Sequence, residues 1–554
     1  MSIDIETYRL KAQEAIEYVF VKEYHNSLGI PMPIVKMLLP DDANYSTGQY
    51  YITIDKTWQI HLNFGKLPIS YHEFQNEVKV LTRHEIEHYM CCPFDVITHF
   101  RMLKRIRDVY YKHFSHLGIN IKYACGAISN QAADIIVDTK NYYRHSKETL
   151  KSEIDWIKIG ANISACPRHC KLMFLTKEAI WKEDLGINET DPEFLKIVHQ
   201  LADSFTKNGI EDKSSFLDKV EEYAEIFFKL YVEDQKNPQQ SSQQGSQQQS
   251  GQWGVGRPKD GDEHGNAFVF ADPDKVKEAI EVLAEETSVE EFIDLLAIAG
   301  IIGMSDKQKG VLWFNVQSAN IIPIVEFSNT GNKSSYTYPS VWRIGDPIEE
   351  LDLMLTYMTS PRLIPGMTTK KWEYVSNDDN GTESKQMDLL LVVDTSGSMG
   401  SAMKESANMH QAVLASYGIL SYFESTKSKV AFIGFSDKID AYVDWSDKYD
   451  DVRERLLTNG HGGTKFPISR IKSTLDVRSR DLVTVLITDG DLGNINESVS
   501  YFRDYLNDDN KLYIFLLGGS KSLHSYEPLK NIGAKIYNAN NANEFCDMVL
   551  TDME

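Results

Sequence analysis

Leu389-Leu390-Leu391-Val392-Val393-Asp394-Thr395-Ser396-Gly397-Ser398-Met399 is an apolar run that stops abruptly at a carboxylate and two hydroxyls. An uninterrupted run of this length, bounded by Gly and Ser, fits a parallel strand covered by helices on both faces. The loop after such a strand opens where α/β sheets bind ligands, beyond the strand's carboxyl end. Two later segments offer oxygen atoms of the same hard kind: Gly462-Gly463-Thr464, and Val485-Leu486-Ile487-Thr488-Asp489-Gly490 at the end of another apolar run. Asp394, Ser396, Ser398, Thr464 and Asp489 together form a set of carboxylates and hydroxyls without sulfur or imidazole. Such a set suits Mg²⁺ better than zinc, with Mn²⁺ or Ca²⁺ as substitutes. Magnesium keeps some of its waters, which leaves the site open to an acidic group from a protein partner.

Around these loops the pattern alternates between strands and helices. It predicts strands at 388–394, 429–435, 440–444, 482–488, 511–517 and 535–538. Helices are expected at 403–424, 447–457, 467–475, 495–507, 525–532 and 541–550. This βα alternation implies a doubly wound, mainly parallel sheet with the metal loops gathered on one edge. Together with the Asp-x-Ser-x-Ser, Thr and Thr-Asp-Gly elements, residues 385–554 resemble a von Willebrand factor A domain carrying a metal-ion-dependent adhesion site.

The whole chain is too long for one core at 554 residues, so several domains are expected. A net charge of −22 argues against nucleic acid as the main partner, because phosphates would be repelled by most of the surface. The start, Met1-Ser2-Ile3-Asp4-Ile5-Glu6, lacks the features of a signal peptide, and no run approaches a membrane span. Six cysteines in so long a chain give no disulfide framework, which points to a reducing cytoplasm. Cys166 and Cys170 flank His169 without a second pair at usable spacing, and read as buried thiols.

Toward the front, residues 5–27 read as an amphipathic helix. Tyr50–Ile54 and Trp58–Phe64 read as two strands joined by a turn at Asp55-Lys56. A helix over 71–92 follows, ended by Pro93, and helical segments continue to Asp234 with an αα-hairpin near 215–233. The stretch from Gln235 to Gly256 is almost wholly Gln, Ser and Gly and reads as a flexible tether. Two helices are expected at 273–284 and 288–303, then an irregular segment to 384 whose role the residues do not disclose. The organisation is thus 1–234, a 235–262 linker, an intermediate region 263–384 and the C-terminal domain 385–554.

The 71–92 helix carries His84-Glu85-Ile86-Glu87-His88. His84 and His88, four apart, project from one face and can share a zinc ion. Glu85 lies beside them, where it could take a proton from a water that the metal acidifies. A third ligand decides whether the motif is more than chance. Cys91 and Phe94 stand where the metzincin pattern needs Gly and His, which excludes that class. His99 would lie about 16 Å further along a continuous helix, although the break at Pro93 could fold it back. The second source is Asn130-Gln131-Ala132-Ala133-Asp134-Ile135-Ile136-Val137-Asp138, an apolar helix with two aspartates facing the same way. This pairing resembles the gluzincin metallopeptidases, in which a second helix supplies an acidic zinc ligand and, four residues on, an aspartate that orients a histidine. The resemblance implies that Asp134 is the third ligand and Asp138 the partner of a histidine.

A mostly helical, zincin-like α+β domain, a flexible middle and a C-terminal von Willebrand-like domain together resemble predicted bacterial metallopeptidases. The resemblance implies an endopeptidase acting on protein or peptide, controlled through a partner at the magnesium site, with a MoxR-type AAA+ ATPase as the expected partner class. The competing expectation is non-enzymatic: a metal-stabilised scaffold or adaptor for such an ATPase, comparable to a chelatase subunit.

Overall fold

A computed structural model describes residues 5–25, 32, 34–38, 51–54, 58–63, 70–159, 163–236, 273–301, 304–319, 335–343, 351, 356, 369–375, 387–478, 482–490, 492, 494–508, 510–518 and 524–539. The chain divides into two compact units, Met1–Met304 and Ser305–Glu554. The division falls inside the intermediate region. The expected turn at Asp55-Lys56, helix 541–550 and nearly all of the 235–262 tether lie outside the described residues. Among the described residues, no helix is long and apolar enough to cross a membrane.

The first unit is mainly helical. Helix α1 (Ile5–Tyr18) passes into a π-helical turn, Val19–Glu23. Strands β1 (Ile34–Leu38), β2 (Tyr51–Ile54) and β3 (Trp58–Asn63) form a small sheet in the order β1-β3-β2. β2 pairs antiparallel with its neighbour, as expected, whereas β1 pairs parallel with β3. Sequence reading missed β1 because its apolar run sits between Pro33 and Pro40, which read as loop punctuation.

Helix α2 (Tyr71–Met90) starts at Ser70, whose hydroxyl accepts from Glu73 N. It stops two residues before the expected Cys92, with Cys91 as its cap. Asp95 caps α3 (Val96–Val109), its carboxylate accepting from Thr98 N at 2.6 Å. Helix α4 (Ile121–Ile159) runs along α2 and is broken at His145, whose φ −135° and ψ 49° are not helical. α5 (Arg168–Trp181) and α6 (Pro192–Thr206) follow.

The expected hairpin near 215–233 is instead one continuous helix, α7 (Phe216–Lys236). Its buried side chains Phe216, Val220, Tyr223, Ala224, Phe227 and Phe228 recur at helical spacing without an interruption that could turn the chain. α8 (Pro273–Glu286) and α9 (Val289–Ile298) complete this unit. Both lie against α3 through ion pairs of Arg101 with Glu286, and of Arg107 with Glu291 and Asp294. His169 Nδ1 donates to Asp234 Oδ2 at 2.9 Å, Cys170 is buried and Cys166 half-buried, which accords with buried structural residues.

The second unit begins with a helix that sequence reading assigned to the irregular segment, α10 (Asp306–Ala319). Strands β4 (Ser335–Val341) and β5 (Lys370–Val375) pair antiparallel. Then come β6 (Asp388–Asp394), α11 (Asn408–Ser425), β7 (Val430–Phe435) and β8 (Ile439–Ser446). They are followed by α12 (Tyr449–Leu456), α13 (Ile468–Leu475), β9 (Leu482–Thr488) and α14 (Val499–Asn507). β10 (Lys511–Leu517), a single-turn α15 (Glu527–Lys530) and β11 (Lys535–Ala539) end the described chain.

The sheet order is β11-β10-β9-β6-β7-β8. Every neighbouring pair is parallel except β7 with β8. Leu390 and Val392 of β6 pack into one core with Ile471 and Leu475 of α13 and Phe502 and Tyr505 of α14. Leu389, Leu391 and Val393 point to the opposite face, on which α11 packs. Burying both faces removes water from the side chains of Leu389 to Val393, at about 1.5–3 kcal/mol for each Leu or Val, and this is why β6 reads as a continuous apolar run. From β6 the chain winds outward to β7 and β8, and from β9 the other way to β10 and β11. The direction of winding therefore reverses between β6 and β9, which makes this pair the topological switch point of the sheet.

Helix α11 starts at Asn408, not at residue 403. Residues 401–407 form consecutive turns instead, with Met403 N on Ser401 Oγ, Lys404 N on Ser401 O and Ala407 N on Lys404 O.

Candidate metal centres

In the first unit, α2 and α4 bring three of the expected residues together. His84 Nε2 and His88 Nε2 are 3.1 Å apart. Asp134 Oδ1 lies 3.5 Å from the first and 3.3 Å from the second. Ligands about 2.0–2.1 Å from a zinc ion at the corners of a tetrahedron stand about 3.3 Å from one another, so the three atoms have the spacing of a coordination shell.

Their partners on the far side fix which atoms face inward. His84 Nδ1 donates to Asp138 Oδ1 at 2.7 Å and His88 Nδ1 to the Cys92 carbonyl at 2.8 Å. Each ring thus presents an Nε2 lone pair to the centre. Asn130 Nδ2 donates to Asp134 Oδ2 at 3.0 Å. Asp134 Oδ1 is buried without a hydrogen-bond donor. With both rings neutral, two lone pairs and a buried carboxylate oxygen face one another, which is repulsive unless a proton or a metal cation sits among them. Burial alone would lower the pKa of His84, but the carboxylates of Asp138, Asp134 and Glu85 outweigh it and raise it to about 10, so a metal ion bound here would displace a proton from His84. His84, His88 and Asp134 are therefore a group that can hold a metal ion.

The two glutamates of the motif differ. Glu87 is fully buried and spent on structure, paired with Lys140 at 2.7 Å and Arg144 at 3.0 Å and accepting from Tyr24 Oη at 2.8 Å. Glu85 is half-buried beside the histidines. His99 does not join the group. The chain does bend after α2, but His99 is buried on α3, where desolvation pushes its pKa down to about 4 with His88 adding to the effect. Tyr110 and Tyr111 are engaged elsewhere, the first on the carbonyls of Ser115 and Ile119 and the second under Arg107. Sequence reading missed Asn130 as the donor that turns Asp134, and Lys177, whose Nζ lies 3.0 Å from Asp138 Oδ2. Asn130 could have been found, being one helical turn before Asp134. Lys177 comes from another helix and carries no local signal.

In the second unit four of the five expected residues, Asp394, Ser396, Ser398 and Asp489, meet in one hydrogen-bonded group at the switch point. Asp394, at the end of β6, is fully buried. It accepts from Thr488 Oγ1 at 2.6 Å and from Ser396 N at 2.9 Å. Desolvation raises its pKa above the usual carboxylate value and the nearby Asp489 adds to this, although Thr488 and Ser396 oppose it. Ser396 Oγ and Ser398 Oγ are 3.1 Å apart, and Ser398 Oγ donates to Asp489 Oδ1 at 2.9 Å.

The loop carrying Thr464 is drawn in by Gly397 N, which donates to Gly462 O at 3.3 Å. Gly462 has φ 112°, a conformation that side chains resist. Thr464 itself is half-buried. Two further residues were not singled out from sequence. Asn408 Nδ2 donates to Asp489 Oδ2 at 3.0 Å, so the first residue of α11 orients that carboxylate. Thr395 Oγ1 donates to Asp440 Oδ2 at 2.7 Å and ties the loop to β8.

Comparisons with family models and with curated proteins return no match for this chain. Among solved structures, an aerotolerance-related membrane protein from Bacteroides fragilis, carrying multiple mutations to serines, aligns over 98% of its own length and 30% of this chain. The identity is 14% and the TM-score 0.24. The second unit is a mostly parallel α/β sheet by its own strand order and pairing.

Proposed function

We propose that this chain is a zinc-dependent endopeptidase whose substrates or activation reach it through a protein docked at a magnesium site in its C-terminal, von Willebrand A-like unit. The observation that carries the reading is the convergence of His84 Nε2, His88 Nε2 and Asp134 Oδ1 with Glu85 beside them. Three protein ligands leave a coordination position open, as catalytic zinc sites do and structural ones do not. The ligands are also reachable, with the side chains of His84 and Asp134 21% and 15% exposed.

Zinc, when bound, would polarise a peptide carbonyl and acidify a water molecule. Glu85 would take that water's proton on its carboxylate and pass it to the departing amine nitrogen. Asp138 and the Cys92 carbonyl hold the imidazoles in the tautomer that ligation requires, and Asn130 keeps Asp134 Oδ1 turned inward. At the other site Asp394, Ser396, Ser398, Thr464 and Asp489 would hold magnesium, and an acidic side chain of the partner would complete its shell. A MoxR-type AAA+ ATPase is the partner class that the combination of units suggests.

The test is metal analysis of the full chain combined with casein cleavage. Glu85→Gln is expected to keep zinc and to lower turnover by about 10²–10⁴-fold. Cleavage by E85Q at the parental rate would refute the role given to Glu85, and a chain that takes up no zinc would refute the reading itself.

A further inference from the structure

Asp138 and Glu153 belong to the same helix, α4, yet both contact one ammonium group. Lys177 Nζ, from α5, is 3.0 Å from Asp138 Oδ2 and is also in contact with Glu153. On a straight helix these positions would be separated by about 22 Å. The break at His145 lets the two carboxylates converge.

The Lys177 side chain is only 2% exposed. An ammonium that deep in the protein is costly unless it is paired. The pairing uses the one oxygen of Asp138 that His84 does not, since Oδ1 accepts from His84 Nδ1 at 2.7 Å. A carboxylate held at one oxygen can still swing about its terminal torsion, whereas one held at both is fixed. Glu153, Lys177, Asp138 and His84 therefore form a continuous buried path from beyond the kink to the metal-facing nitrogen of His84.

We propose that Lys177, anchored by Glu153, is a positioning residue of the N-terminal metal centre, fixing the Asp138 carboxylate and through it the orientation of His84. The proposal rests on the reading that His84, His88 and Asp134 bind zinc, and it adds a requirement that the ligands alone do not make. A residue from α5 and the kink of α4 both become part of the metal site. Neither is needed if the Lys177 pair serves only to hold the helices together.

The experiment measures zinc affinity of the full chain by competition with a chromophoric chelator, and the absorption of the cobalt-substituted protein as a report on ligand geometry. Lys177→Met is expected to weaken zinc binding by about 10–100-fold, the range typical of outer-sphere partners, and to alter the cobalt spectrum. Asp138→Asn should do the same. Because both act through the same imidazole, K177M combined with D138N should be no weaker than D138N alone, an outcome that general destabilisation would not produce.

Should K177M fail to fold, Glu153→Gln serves instead, since it leaves the ammonium in place and removes one anchor. A weakening of about 3–10-fold is then expected, below the full outer-sphere effect. Parental zinc affinity in folded K177M or E153Q, or losses that multiply in the double variant, would overturn the proposal. Absence of zinc binding by the parental chain would instead overturn the metal reading on which it depends.

Discussion

The two candidate centres are built by opposite means. The N-terminal group stands on the last two turns of α2 and the first half of α4, and each of its residues has a dedicated partner behind it: Asp138 behind His84, the Cys92 carbonyl behind His88 and Asn130 behind Asp134. The C-terminal group stands on loops at the ends of β6 and β9, and its residues hydrogen-bond mainly to one another, Ser396 to Ser398 and Ser398 to Asp489. Helices set imidazoles at fixed heights and need side chains from elsewhere to set their rotation. Strand ends already share a register through the sheet, so short loops suffice to gather hydroxyls at one place. A borderline ion that prefers few ligands in strict geometry suits the first arrangement, and a hard ion that keeps its waters suits the second.

The largest expected effect separates the two centres. Asp134→Ala should weaken zinc binding by more than the roughly 100-fold upper range of outer-sphere changes, with magnesium binding unchanged. Isothermal titration of each ion on the same sample checks it, and loss of both ions together would break the comparison. The converse change is Asp394→Ala. It should abolish measurable magnesium binding and, by stranding the Thr488 hydroxyl and the Ser396 amide, cost the second unit about 1–3 kcal/mol in chemical denaturation. Zinc content should stay at the parental level.

A third effect belongs to the first unit only. Burial holds His99 neutral down to about pH 4, while in the unfolded chain it titrates near 6.5. Between those values the unfolded state binds a proton that the native state does not, so stability falls as pH falls through this window, by up to about 3 kcal/mol. Stability in urea measured from pH 7 to 4 should show this slope, and His99→Leu should flatten it. The smallest effect tests the orienting contact of the second centre. Asn408→Ala removes one hydrogen bond to a charged carboxylate, about 1.5–3 kcal/mol in a buried setting and less at this half-exposed one. Magnesium affinity should drop by about tenfold, and an unchanged affinity would show that Ser398 alone holds Asp489.

The apolar runs of the second unit were legible to within a residue at β6, β9 and β10, because strands buried on both faces leave no freedom in composition. The three candidate ligands His84, His88 and Asp134 and the orienting Asp138 were legible as two pairs, since a four-residue spacing in a helix places side chains on one face whatever else the chain does. Elements whose partners lie far away were not. β1 pairs parallel with β3 across an interval that includes β2, and α10 buries Trp313 and Phe314 against His410 and Tyr417, about a hundred residues on. A helix whose polar start, Asp306-Lys307-Gln308-Lys309-Gly310, precedes its apolar Val311-Leu312-Trp313-Phe314 carries no signal of what will cover it.

Residue chemistry and spacing thus determined by themselves what each centre could hold: imidazoles and a carboxylate in one, hydroxyls and carboxylates in the other. Whether those groups meet was decided only by tertiary structure. It took the antiparallel course of α2 and α4 to set Asp134 opposite two nitrogens, and a break at His145 to let Lys177 reach two carboxylates at once. The physical reason is that a helix or strand fixes neighbours over a few residues, whereas contacts between elements depend on packing that every part of the chain helps to settle.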